Sequence, residues 1–321
     1  MIVALPIDDL PHPVPDIAKL RWKENWLFVV MAPEQGCYAL CHVNTEAAFD
    51  RARFTFNMVL DGKRYKYSNE RPFEGISAFD RSLTDGVVRI DFVEPGHRFR
   101  LTVKTEEIDT EFEFSATHPT FDFAACRASA PHQVTFREQM TLGTNLPHDH
   151  HQQALTVEGR LRVADGASER RIQGLGYRDH SYCMRADSLI AKHSWCGLLF
   201  DDMVIGVKTS QMLSRQGVEA REGYVDDARG ARVLTEIAVD VMRAADAFST
   251  VRFTLESVAG DSYLIEADLG KSIAVMPFTS EKRESGPVYE IMEHLCPITD
   301  LRTGRTGLGH IELGLNSILA S

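Results

Sequence analysis

The run Gly174-Leu175-Gly176-Tyr177-Arg178-Asp179-His180-Ser181-Tyr182-Cys183-Met184-Arg185 is the densest set of chemically capable side chains in the sequence. A carboxyl group whose pKa is raised by apolar surroundings can protonate carbon, and a neighbouring imidazole can activate water. Asp179 and His180 are therefore candidates for proton transfer to and from a substrate. Tyr182 and Arg185 add a phenol and a guanidinium for polar contacts to a ligand. On an extended strand residues 179 and 180 point to opposite faces, so only one of them meets a common cavity unless a bulge intervenes. Gly174 and Gly176 are the residues that would allow a bulge. A structural reading stands beside the catalytic one, in which Arg178, Asp179 and Arg185 form an ion-pair knot. The two are compatible if Asp179 is structural and His180 transfers the proton.

The stretch Pro147-His148-Asp149-His150-His151 places His148 and His150 on one strand face at ligand spacing, and His180 could add a third nitrogen. No cysteine or carboxylate completes a recognisable set, so no metal is expected. Trp195, within Lys192-His193-Ser194-Trp195-Cys196, could stack on a flat or polyene substrate, although core packing is the ordinary role of such a residue. No Gly-x-Ser-x-Gly elbow, dinucleotide-binding glycine fingerprint or P-loop is present, so hydrolase, dehydrogenase and NTPase chemistry lack their parts and no cofactor is expected. Gly304-Arg305-Thr306-Gly307-Leu308-Gly309 reads as a hairpin, because no following helix presents its N-terminus to a phosphate.

The elements that must position these groups read as strands. Arg98 to Lys104, Thr110 to Phe114 and Leu161 to Val163 alternate polar and apolar, which buries one face and wets the other. Turn signals recur at Asp61-Gly62, Asp85-Gly86, Pro95-Gly96, Asp165-Gly166, Arg229-Gly230 and Gly260-Asp261, the punctuation of antiparallel hairpins. Ala231 to Ala247 has mixed helical and strand spacing and is assigned to strand. The prolines at 6, 11, 13 and 15 make the N-terminus an extended lead-in, with ordered structure from about Leu20. A chain of 321 residues implies roughly two domains of about 150 residues. The expected halves are 1–170 and 171–321, a structural duplication with little shared sequence.

Composition narrows the partners. Hydrophobic residues at 44% and charged residues at 25% are globular values. A net charge of -11 without a basic run removes the main energetic term for binding nucleic acid. The six cysteines form no Cys-x-x-Cys pair and read as reduced, packed thiols. No apolar run reaches a membrane span's length, and the first residues lack the pattern of a signal peptide, so a cytoplasmic monomer or homodimer is the expectation.

The Gly174 to Arg185 segment resembles the Gly-x-Gly-x-Arg-Asp-His-Ser-Trp-Gly-x-Arg motif of AttH-like proteins, relatives of the carotenoid 1,2-hydratases. His150-His151-Gln152-Gln153 is similar to that family's His-Tyr-Glu-Gln, and Thr306-Gly307-Leu308-Gly309-His310-Ile311-Glu312 to its closing Gly-Tyr-Gly-x-x-Glu strand. The first half matches loosely, at Trp22-Lys23-Glu24-Asn25. Two departures are Tyr182-Cys183 for Trp-Gly and His151-Gln152 for Tyr-Glu. The resemblance implies an all-β protein of two lipocalin-like antiparallel halves with an apolar cavity between them. It also implies hydration, dehydration or cyclisation of a terpenoid, steroid-like or polyketide-like molecule without a redox cofactor. Asp179 and His180 are the expected catalytic residues, and Tyr182, Arg185, His150, Gln153, Trp195 and Glu312 the expected ligand contacts. The alternative is a non-catalytic carrier of the same kind of molecule, since both need an apolar cavity.

Overall fold

The computed structural model describes residues 3–16, 22–73, 76–130, 148–164, 168–184, 189–214, 217–244, 247–283 and 286–316. Strand makes up 70% of it and helix 8%, in keeping with the all-β reading. Two compact units divide the chain. Residues 3–122 and 146–185 form unit 1, and residues 123–145 and 186–321 form unit 2.

Unit 1 is a half-barrel sheet. Its first strands are β1 (Trp22–Ala32), β2 (Cys37–Glu46), β3 (Arg51–Leu60) and β4 (Lys63–Pro72). Next come β5 (Ser82–Thr84), β6 (Val88–Glu94), β7 (Arg98–Lys104), β8 (Ile108–Ala116) and the short β9 (Phe121–Asp122). After the helix α1 (Ala124–Ser129), β10 (His148–Val163) and β11 (Arg170–Met184) complete it. The strand order is β4-β3-β2-β1-β11-β10-β8-β7-β6-β5, with β9 on β10. The alternation read at Arg98 to Lys104 buries Phe99, Leu101 and Val103 against Trp26, Phe28, Phe112 and Phe114. Each such buried side chain contributes about 1.5–3 kcal/mol. β1 is buried at every position, because Leu27, Val29 and Met31 on its other face are covered as well. The β3–β4 turn needs positive φ at both central residues, and Asp61 at 49° with Gly62 at 80° supplies it.

Unit 2 contains α1, packed on two of its strands, and a closed eight-stranded barrel. The strands are β12 (Ile190–Phe200), β13 (Met203–Met212), β14 (Glu219–Asp227), β15 (Arg232–Ala244), β16 (Ala247–Ser257) and β17 (Ser262–Asp268). β18 (Ala274–Arg283), β19 (Gly286–Asp300) and β20 (Thr306–Asn316) follow. The order β17-β16-β15-β14-β13-β12-β20-β19 closes through β17–β19 pairing, and β18 adds to β19. Cys196, Leu198, Ile205, Val207, Phe253, Ile265, Ile298 and Ile311 fill its core.

Several local expectations meet the structure directly. Within the segment assigned to strand, Arg232–Ala244 forms β15 and Ala247 begins β16, and Gly304 turns the β19–β20 hairpin at a φ of 76°. All six cysteines are buried thiols outside any disulfide. The Asp165-Gly166 turn lies outside the described residues. Arg170 begins a strand paired on both sides within the first sheet, so the division between units falls at 185–186 rather than at 170. The lead-in is also more than an extended segment: Pro6–Asp9 is a 3-10 turn and Asp9 is buried. Finally, β11 pairs with β1 and β10 without a register shift, so there is no bulge after Gly174 and Gly176. A Cβ at Gly174 would instead collide with the Met31 carbonyl, and close backbone approach is what glycine provides there.

Candidate functional site

β11 lies between β1 and β10, and the register decides which side chains meet. His180 is opposite Trp26 and His151, Tyr182 opposite Glu24 and Asp149, and Arg178 opposite Phe28 and Gln153. Because the strand has period two, these residues share one face, the face that carries the core residues Trp26 and Phe28. Asp179 and His150 belong to the other face, buried at 4% and 2% exposure. Without a bulge, Asp179 does not orient His180, and His150 and His180 do not converge as metal ligands. The backbone of His148 is in β10, but its side chain is outside what is described, as is all of Arg185.

The carboxylate that meets His180 is Glu24. Its Oε1 lies 2.9 Å from His180 Nε2 and 2.8 Å from His12 Nδ1, and the His12 backbone N–H donates to the same group at 3.1 Å. Burial by itself would raise the Glu24 pKa, but the hydrogen bonds from His12 and His180 outweigh it and hold the carboxyl below its usual range. Burial pushes the His180 pKa down, and Glu24 offsets this only in part. An ionised Glu24 beside a neutral His180 places the ring proton on Nε2, which leaves Nδ1 as the basic nitrogen. Nδ1 makes no hydrogen bond among the described residues. Trp26 stacks on the His180 ring at 4.8 Å, and His12 stacks on Tyr182 at 3.8 Å. Tyr182 donates to Asp149 at 2.8 Å, and burial followed by the Asp149 charge raises its pKa, so the phenol keeps its proton. His151, edge-on to His180 at 6.1 Å, is held well below its normal pKa chiefly by burial.

A buried knot adjoins this set. Arg178 Nη2 donates to Asp9 Oδ1 at 2.7 Å and to Thr120 Oγ1 at 2.9 Å, Nε donates to Gln153 Oε1 at 2.8 Å, and the guanidinium lies over Phe99 at 4.4 Å. Gln153 spends its amide on the carbonyls of Gly96 and His118, both at 2.8 Å. Arg178 thus centres an ion-pair knot whose acid is Asp9 and not the expected Asp179, with Gln153 as a member; Arg185 lies outside the described residues.

Trp195 and Glu312 lie in unit 2, opposite one another on β12 and β20. They occupy the barrel face that does not carry Cys196 and Ile311, so Trp195 is half-buried there and is not a core residue. Glu312 accepts from His193 Nε2 and stands across from Glu293, with His310 on the same face. Burial raises and the His193 hydrogen bond lowers the Glu312 pKa, and the lowering prevails. Burial pushes His310 down to about 4. Two sets have ligand atoms within 4.8 Å of one another, as a metal ion would require: His12, Glu24 and His180 in unit 1, and Glu293, His310 and Glu312 in unit 2.

Sequence reasoning missed Glu24, His12, Asp9 and Asp149 in unit 1, and His193, Glu293 and His310 in unit 2. Glu24 stood within the loosely matching Trp22 to Asn25 stretch. His12 carried no signal beyond being a histidine between prolines.

Three solved structures share the fold. Kievitone hydratase from Nectria haematococca superposes with a TM-score of 0.65 at 11% identity, over 98% of this chain and 93% of that one. CghA with Sch210972 gives 0.65 at 12% identity, over 98% and 96%. An AttH-like protein from Nitrosomonas europaea gives 0.62 at 13% identity, over 98% and 97%. At such identities the likeness concerns the fold, a double lipocalin-like architecture. No curated protein matches the sequence. Among the described residues no helix is long and apolar enough to cross a membrane. A family model covers residues 5–317, nearly the whole chain, and by that match the protein belongs to the family described as a domain of unknown function, DUF7064.

Proposed function

We propose that the chain is a cofactor-independent lyase or isomerase that hydrates, dehydrates or cyclises a hydrophobic molecule of the terpenoid, steroid-like or polyketide-like kind. The buried His180–Glu24 couple carries this reading. A neutral imidazole with one nitrogen bonded to a carboxylate at 2.9 Å and the other unbonded is built to take up a proton and to hold the charge that results. In hydration, His180 Nδ1 removes a proton from the attacking water as the carbon–oxygen bond forms. The protonated imidazole then gives that proton to the other alkene carbon, so that water ends as a hydroxyl on one carbon and a hydrogen on the other and His180 is neutral again, without redox chemistry. Dehydration is the reverse. Glu24 thus orients the His180 ring, and the Tyr182 phenol and the His12 ring stacked on it are polar groups beside the reacting atoms. The likeness in fold to a hydratase, and to CghA with Sch210972, supports the reading.

The test combines binding and turnover on terpenoid, steroid and polyketide alkenes, chosen with the help of any ligand identified by mass spectrometry of purified protein. His180→Ala is expected to keep ligand affinity and lose roughly a hundredfold or more in turnover. Glu24→Gln should follow it. Unaltered turnover in a stable His180→Ala variant removes His180 from the mechanism. A wild type that binds such molecules and converts none of them is a carrier.

A further inference from the structure

Four side chains of metal-ligating type converge on the face of the unit 2 barrel away from its apolar core. Glu293 and Glu312 stand directly opposite across β19 and β20, close enough for one carboxyl to hydrogen-bond the other when they share a proton. Their side chains are only 8% and 9% exposed. His310, two residues before Glu312, brings Nε2 to 3.3 Å from Glu293 Oε2. His193 on β12 aims Nε2 at Glu312 Oε1.

The sheet is shaped around the His193 ring. Its register partner on β20 is Gly314, where any Cβ would collide with the imidazole. Tyr289 stacks on the ring at 5.5 Å and bonds its Nδ1 through the hydroxyl. A partner on one imidazole nitrogen that directs the other toward a shared focus is how metal-ligating histidines are held. A divalent ion seated here would take the place of the proton that the two buried carboxyls share.

We propose that Glu293, His310 and Glu312, with His193 beside them, bind one divalent transition-metal ion, for which zinc is the probe. Mixed imidazole and carboxylate donors suit that ion, and its two charges match two carboxylates. The site is independent of the His12, Glu24 and His180 set. Full-length protein stripped with a chelator, equilibrated with zinc and desalted should retain one zinc per chain by elemental analysis. Glu312→Gln and His310→Gln should lose it, Tyr289→Phe should bind about tenfold more weakly by titration calorimetry, and Glu24→Gln in unit 1 should retain it. Zinc should raise the melting temperature of wild type and of Glu24→Gln, but not of Glu312→Gln. His193→Gln serves as the ligand variant if dichroism shows Glu312→Gln unfolded. The proposal is overturned if wild type retains no stoichiometric zinc, in which case the carboxylates share a proton. It is overturned equally if the zinc survives in the folded unit 2 variants or is lost with Glu24→Gln.

Discussion

Each unit lays a histidine ring against an aromatic side chain and aims it at a glutamate, yet the charge around the two couples differs. In unit 1, Trp26 backs His180 and the single carboxylate of Glu24 serves two imidazoles, His12 and His180. In unit 2, Tyr289 backs His193 and two carboxylates, Glu293 and Glu312, face one another between His193 and His310. One carboxylate shared by two bases makes a couple that can hold an extra proton. Two carboxyls in one buried place call for a shared proton or a cation. The same pair of residue types is thus suited to proton transfer in one sheet and to ion binding in the other.

The largest expected effect tests whether unit 1 is anchored by its own ion pair. Arg178 and Asp9 are each 1% exposed, so Arg178→Met strands a buried carboxylate. It should cost about 3–5 kcal/mol in urea denaturation. A change below about 1 kcal/mol would show that the Gly96 N–H and water suffice for Asp9.

A second effect concerns pH. His180 and His151 have folded pKa values below 6.5, so below that pH the unfolded chain binds protons that the folded one refuses. Stability should fall as the pH drops from 6.5 toward their folded values, by up to about 1.4 kcal/mol per pH unit for each histidine. Glu24, depressed below 4.5, adds its own loss only as the pH falls below that value. Chemical denaturation of His151→Gln between pH 7 and 5 should give a shallower slope than wild type, and an identical slope would show that His151 is protonated in the fold.

The smallest effect sharpens the contrast in charge. In chelator-stripped protein, Glu293→Gln puts a permanent N–H donor where the two carboxyls must share a proton, and should stabilise by about 0.2–1 kcal/mol, read as a rise in melting temperature. Removing the lone carboxylate of unit 1 with Glu24→Gln should lower it. A drop in both variants would mean that the two couples are electrostatically alike.

Much of the fold was legible because its signals are local. Alternation at Arg98 to Lys104 and the left-handed residues at Asp61-Gly62 state strand and turn within a few residues. The segment from Gly174 to Arg185 announced itself through composition, and the opposite facing of Asp179 and His180 follows from the period of a strand alone. What only the tertiary structure decided is which residues stand across from that segment. Glu24 reaches His180 because β1 pairs with β11 across more than a hundred and fifty positions. Glu293 meets Glu312 because the β19–β20 hairpin closes in one register rather than its neighbour. Asp9 and His12 join the site because the lead-in turns back onto the sheet. A side chain's own neighbours in sequence set its face, whereas its partner is set by a register that depends on the burial of every residue along both strands, and no short motif encodes that.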